Sequence, residues 1–110
     1  MGKTNDTWED LYDLVDSRKK GDPEKSYVAK LFSRGINKVS QKAGEEAVEV
    51  IIAALAESKK DFINECADLM FHLTVLCVMK GIHPSEIMQE LEDRMGTSGI
   101  DEKAARKKKS

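Results

Sequence analysis

The stretch "GEEAVEVIIAALAESKKDFINECADLMFHL", residues 44–73, is the most apolar part of the chain, yet acids interrupt it throughout. Glu49 stands between Val48 and Val50, and Asp68 between Ala67 and Leu69. An isolated carboxylate in an apolar setting is costly unless it is paired, protonated or bound to a metal. Any fold open to this chain must place those acids where something compensates them.

Helical spacing supplies such a place. At about 100° per residue, Glu45, Glu46 and Glu49 share one arc of roughly 100°, joined downstream only by Ala53 and Ala56. Ala47, Val48, Val50, Ile51, Ile52 and Leu55 take the other directions. In the next helix Asp61, Glu65, Asp68 and His72 recur at i, i+4, i+7 and i+11, again as one stripe beside apolar residues. The polar turn "ESKKD" makes the two helices an antiparallel hairpin. Counted from Ser58, the pair Glu46 and Glu49 and the pair Glu65 and Asp68 differ in level by only about 3 Å of helical rise. The two acidic pairs are therefore expected to face each other, with small alanines beside the seam letting the backbones approach.

Converging carboxylates repel unless a positive charge lies among them. A hard cation meets this need, because Mg²⁺ takes a few carboxylate oxygens, keeps several waters and commonly binds substrate phosphates. A di-iron bundle is the chemical rival, but it normally uses Glu-x-x-His motifs. Here Asp68 stands where that histidine would, which favours oxygen-only ligation by Mg²⁺ or Mn²⁺. His72 reads as a packed or supporting histidine rather than a ligand, and His83, at a turn before Pro84, carries no functional signal. The bland alternative is a solvated acidic face, or acids paired with lysines in a helix bundle.

The rest of the chain reads as helical too. Thr7 with Trp8, Glu9 and Asp10 opens a first amphipathic helix ending near Lys20-Gly21, and Gly21-Asp22-Pro23 is a loop. "SYVAKLFSRG" gives a short helix closed by Gly35, and a long helix runs from Ile36 to about Glu57. A second long helix spans about Asp61 to Lys80 and is stopped by Gly81, and Pro84 starts a short one to about Met95. Two prolines, few aromatics and five methionines suit this all-α reading. A length of 110 residues fits one domain, 1–110, with residues 96–110 a basic tail. So small a chain, with helices apolar over most of their circumference, is expected to share its core in a homodimer or higher homo-oligomer, a helical hairpin with flanking short helices completing a four-helix-type bundle on dimerisation.

Charge and cysteine usage exclude several classes. A net charge of −2 argues against non-specific nucleic-acid binding, although residues 94–110 carry six Lys/Arg against Asp101 and Glu102. Cys66 and Cys77 lie about 16 Å apart along one helix and cannot pair. No Cys or His spacing of the C-x-x-C or H-x-x-x-H kind points to zinc. With no signal peptide and no apolar run near 18 residues, the expected setting is the reducing cytoplasm, without a membrane partner.

The segments "KAGEEAVEVIIAA" and "NECADLMFHLTVL" resemble the Glu-x-x-Glu and Glu-x-x-Asp motifs of the all-α nucleoside triphosphate pyrophosphohydrolases, which include the MazG-like enzymes and dimeric dUTPases. With "SYVAKLFSRGINKVSQKAGEE" upstream and "ELEDRMGTSGIDEKAARK" at the end, the chain is most similar to the phosphoribosyl-ATP pyrophosphohydrolase family, over about residues 7 to 107. The resemblance implies Mg²⁺-dependent hydrolysis of phosphoribosyl-ATP to phosphoribosyl-AMP and pyrophosphate, the second step of histidine biosynthesis. By motif position, Glu46, Glu49, Glu65 and Asp68 would hold the metal, with Glu45 a ligand or the base that orients the attacking water. Lys42, one turn before Glu46, is placed to meet a phosphate, with Lys30, Arg34 and Lys38 as further candidates. Ser98, Gly99, Lys103 and Arg106 match the family's end pattern and would bind a second phosphate of this nucleotide substrate. The alternatives are a house-cleaning pyrophosphohydrolase acting on free or damaged nucleotides, and a non-catalytic helical dimerisation module.

Overall fold

The computed structural model describes residues 7–96, and within them the chain is five α-helices joined by short turns: α1 (Thr7–Arg18), α2 (Tyr27–Arg34), α3 (Ile36–Ala56), α4 (Lys59–Lys80) and α5 (Pro84–Met95). The all-α expectation holds among these residues. The tail positions Ser98, Gly99, Lys103 and Arg106 lie outside the described residues.

Local chemistry sets most of the boundaries. The Ser26 hydroxyl accepts the Ala29 N–H at the start of α2. Gly35 closes α2 at φ +89°, donating its N–H to the Phe32 carbonyl, and α3 begins at the next residue. Gly81 ends α4 in the left-handed region at φ +70°, which a glycine adopts without the penalty that a Cβ imposes. α1 stops at Arg18, two residues before the expected Lys20, where the Gly21 N–H turns back onto the Arg18 carbonyl. α4 starts two residues before the expected Asp61. The Ser58 hydroxyl accepts the Asp61 N–H at 3.1 Å, so Lys59 and Lys60 join the first turn and only Glu57 and Ser58 connect the long helices. The short connection makes α3 and α4 antiparallel, and they pack on each other more extensively than any other two helices.

α5 is capped by a residue that carried no signal in the sequence. His83 Nδ1 accepts the Ser85 N–H at 3.1 Å, and the Glu86 carboxylate accepts the His83 N–H at 3.0 Å. The imidazole also meets Tyr12 edge to face, with ring centroids 5.0 Å apart, which ties the start of α5 to α1.

The core lies toward one end of the hairpin. Val15 of α1, Val28 and Leu31 of α2, Val39 of α3 and Val75 and Val78 of α4 form one buried cluster, with Leu11, Tyr12, Phe32, Phe71, Leu76 and Met79 packed around it. Trp8 Nε1 donates to the Thr74 hydroxyl at 2.8 Å, and that hydroxyl donates to the Met70 carbonyl, so a polar group in fully buried surroundings is satisfied at both ends. At the turn end, by contrast, Val48, Ile51, Ile52 and Leu55 of α3 and Ile63 of α4 are exposed, Leu55 by 83%.

The sequence shows no apolar run near 18 residues, but α4 corrects that reading. Its 22 residues include a window of mean hydropathy 1.4, long and apolar enough by composition to cross a membrane. In the fold this helix packs on α1, α2 and α3 and carries Glu65 and Asp68 near its middle, the pattern of a helix at the centre of a bundle. Both cysteines sit on it as free thiols, Cys77 buried and its pKa raised by that burial.

Replacing Ser58 with Ala removes the cap of the central helix. The expected loss is about 1 kcal/mol, read in a thermal melt as a midpoint lower by roughly 4 °C. An unchanged midpoint would show that the Ser58 bond contributes nothing to the hairpin.

Candidate functional site

α3 presents Glu46 and α4 presents Glu65 and Asp68 toward a common point. One carboxylate oxygen from each lies within 4.8 Å of the other two. Glu46 and Glu65 are half-buried and Asp68 is exposed, so the cluster is sunk at its base and open at its mouth. The convergence follows from the two spacings: i and i+3 on α4 keep Glu65 and Asp68 on one face, and the shared level on the hairpin sets Glu46 opposite.

Nothing among the described residues neutralises this group. The ion pairs there are Lys19 with Asp16 and Arg94 with Glu90, both remote from the cluster. Glu65 responds by holding its proton more tightly than an ordinary glutamate. Desolvation is the largest cause, followed by the negative charges of Glu46, Glu49, Asp68 and Glu57.

The sequence-derived acids are placed unequally. Glu46, Glu65 and Asp68 come together, whereas Glu49 is exposed and stands outside the triad, reaching Glu65 through its charge alone. Glu45 is also exposed, and its Oε2 accepts a hydrogen bond from Gln41 Nε2 at 3.0 Å. Lys42 is half-buried on α3 one turn before Glu46, and Lys30, Arg34 and Lys38 are exposed on α2 and early α3.

Glu57 and the Tyr27 partner of His72 were not singled out in the sequence. Glu57 adds a further negative charge to the field at Glu65, although it caps the end of α3 and reads as a helix terminus. More substantial is the support behind Asp68. His72, nearly fully buried, places Nδ1 2.9 Å from the Asp68 carbonyl and Nε2 3.2 Å from the Tyr27 hydroxyl. A carbonyl only accepts, so Nδ1 carries a proton, and in that tautomer Nε2 accepts from the tyrosine hydroxyl. The packed histidine expected from sequence is thus a bridge between α4 and α2. Its partner lies 45 residues away in the chain, beyond the reach of local periodicity.

The donor set fits a hard divalent cation. All three groups offer oxygen, and oxygens on opposite sides of an octahedral Mg²⁺ are about 4.2 Å apart, comparable with the spacing already present. Because folded Glu65 keeps its proton to higher pH than the unfolded chain does, the folded state binds the extra proton and loses stability as pH rises from the ordinary glutamate range through the raised value. In chelator, Glu65→Gln is therefore expected to melt at or above the wild-type temperature over and beyond that window, with no advantage below it. Added Mg²⁺ should raise the wild-type midpoint and leave the variant's unchanged. A wild type that melts higher than the variant in chelator at neutral pH would show that the carboxylates do not oppose folding.

Comparison with known proteins bears on the same residues. The family model described as phosphoribosyl-ATP pyrophosphohydrolase matches residues 8–95, a span containing Glu45, Glu46, Glu49, Glu65 and Asp68. A relative from Paramagnetospirillum magneticum named phosphoribosyl-ATP pyrophosphatase is 50% identical over 109 residues, covering 99% of this chain and 100% of that protein. Proteins of the same name from Rhodospirillum rubrum and Azospirillum brasilense are 54% identical over 95 residues and 52% identical over 97, covering 86% and 88% of this chain and 81% and 87% of theirs. The chain belongs to the phosphoribosyl-ATP pyrophosphohydrolase family.

Proposed function

We propose that this enzyme hydrolyses phosphoribosyl-ATP between its α and β phosphates, giving phosphoribosyl-AMP and pyrophosphate, and that it does so with Mg²⁺ held at the hairpin seam. The observation that carries the reading is the uncompensated triad Glu46, Glu65 and Asp68 in a chain matched by this family over residues 8–95. Members named phosphoribosyl-ATP pyrophosphatase match along most of their length, which favours this substrate over the damaged nucleotides of a house-cleaning enzyme.

In this reading Glu46, Glu65 and Asp68 would hold the metal, with Glu49 on the next turn of α3 as the fourth acid. Mn²⁺ satisfies the same oxygen donors. A bound divalent ion supplies charge neutralisation for the triphosphate as negative charge builds on the leaving pyrophosphate. The chain's own groups do the rest. Lys42 meets a phosphate oxygen beside Glu46, and Lys30 and Arg34 offer further cations from α2. Glu45 takes the proton of the attacking water, whose oxygen ends on one product as the anhydride bond breaks. Its hydrogen bond from Gln41 fixes where that carboxylate points. In the tail, Ser98, Gly99, Lys103 and Arg106 are proposed to bind the 5′-phosphate on the additional ribose, a group that ordinary ATP lacks. Histidine biosynthesis would place the protein in the cytoplasm.

The exposed apolar end of the hairpin supports a homodimer that buries Ile51, Leu55 and Ile63 in a four-helix arrangement. Sedimentation at micromolar concentration is expected to show the dimer, and a stable monomer would defeat this part of the proposal.

Pyrophosphate release from phosphoribosyl-ATP, ATP and other triphosphates tests the activity. Release from phosphoribosyl-ATP should dominate and should require a divalent ion. Asp68→Asn keeps the side chain's size but loses a charged ligand, so turnover is expected to fall by at least two orders of magnitude while the far-UV spectrum persists. Near-normal Mg²⁺-dependent turnover in this variant would remove Asp68 from the site. No release from any triphosphate would leave the helical dimerisation module as the surviving reading.

A further inference from the structure

Tyr27 is half open to solvent, at 51%, yet it is held at two points. Its ring stacks on Phe71 with centroids 5.8 Å apart and planes 21° from parallel. Its hydroxyl donates to His72 Nε2, and His72 in turn holds the Asp68 carbonyl. An exposed tyrosine with no task would be free to rotate. This one is fixed by a backing ring and a hydrogen bond, with the rest of the ring left uncovered.

Its location gives the exposed surface a meaning. His72 follows Asp68 by one helical turn, about 6 Å along α4, and Tyr27 caps the tip of that imidazole. On α2, Lys30 and Arg34 follow Tyr27 at i+3 and i+7 and so share its stripe. Both cations are exposed, and among the described residues neither side chain is ion-paired. An aromatic surface interleaved with free cations, one turn from a carboxylate cluster suited to a divalent ion, is the arrangement that takes a base together with its phosphates.

We infer that Tyr27 is the stacking platform for the purine ring of the substrate, with Lys30 and Arg34 on the same stripe steering the adjoining phosphates toward the acid triad. The inference rests on the pyrophosphohydrolase reading of this site and adds the group that recognises the base. Phe71 backs the platform, and the His72 bond sets its distance from Asp68. A stacking contact tolerates the substituent that phosphoribosyl-ATP carries on its purine, because it uses the face of the ring and leaves the edge free.

The test compares the binding of AMP and ribose 5-phosphate in the presence of Mg²⁺, by equilibrium titration without turnover. The ratio of the two affinities isolates the base, since damage to the phosphate or metal contacts moves both ligands alike. Wild type should bind AMP more tightly, by on the order of tenfold. Tyr27→Leu should bring the ratio close to one, and Tyr27→Phe, which keeps the ring and loses the hydroxyl, should preserve most of it. If the leucine variant does not fold, Tyr27→Trp provides the reading, with the ratio kept or increased. Equal wild-type affinities for the two ligands, an undiminished ratio in Tyr27→Leu or a collapsed ratio in Tyr27→Trp would each overturn the inference. A wild type that fails to hydrolyse phosphoribosyl-ATP would instead sink the activity reading and leave the AMP titration standing as an independent result.

Discussion

Repulsion between carboxylates across two packed helices is the constraint on which the rest of the molecule turns. α3 and α4 pack together along much of their length, and the packing that buries Val39, Val75 and Ala53 also brings Glu46 against Glu65 and Asp68. The hairpin cannot keep the first without accepting the second, because the rise per residue fixes both. Glu65 holds its proton more tightly, first because of its desolvation and then because of the neighbouring carboxylates. A site under this strain is suited to bind a hard cation, because the ion removes a cost that the protein otherwise bears alone. Stability and chemistry are therefore coupled at the same three side chains.

The order of elements follows from that arrangement. α1, α2 and the beginning of α3 wrap the C-terminal half of α4, where the apolar core is deepest, and α2 lays Tyr27 against the turn that follows Asp68. The family's characteristic segments divide along the same line. The acid motifs fall on the hairpin, and "SYVAKLFSRG" supplies the helix that borders it. In the proposed function the basic residues of α2 serve the phosphates from an element separate from the two helices that carry the acids.

Much of this was legible in the sequence because it depends on fixed geometry. The facing of Glu46 with Glu65 and Asp68 required only residue counts from the turn, and the ends at Gly35 and Gly81 followed from the freedom of glycine at positive φ. What escaped had no local signature. Ser58 extended α4 by two residues because a cap depends on which N–H its hydroxyl reaches. His83 acts as a cap although Ser, Thr, Asp and Asn are the usual residues there. The Tyr27–His72 bond joins helices far apart in the chain, so neither spacing nor composition announces it. Glu49 shares the acidic arc of α3 and its charge acts on Glu65, while Glu46 is the residue of that arc whose oxygen meets Glu65 and Asp68.

The uneven burial along the hairpin has a mechanical consequence. One end of α3 and α4 is clamped by α1 and α2, the other carries Leu55 almost wholly in water, and the acids lie between the two. Glu57 and Ser58 join the helices at the exposed end, where Ala53 is buried, so that end is held by fewer buried side chains than the end carrying the core. Amide protons near the turn should accordingly exchange faster than those near Val75.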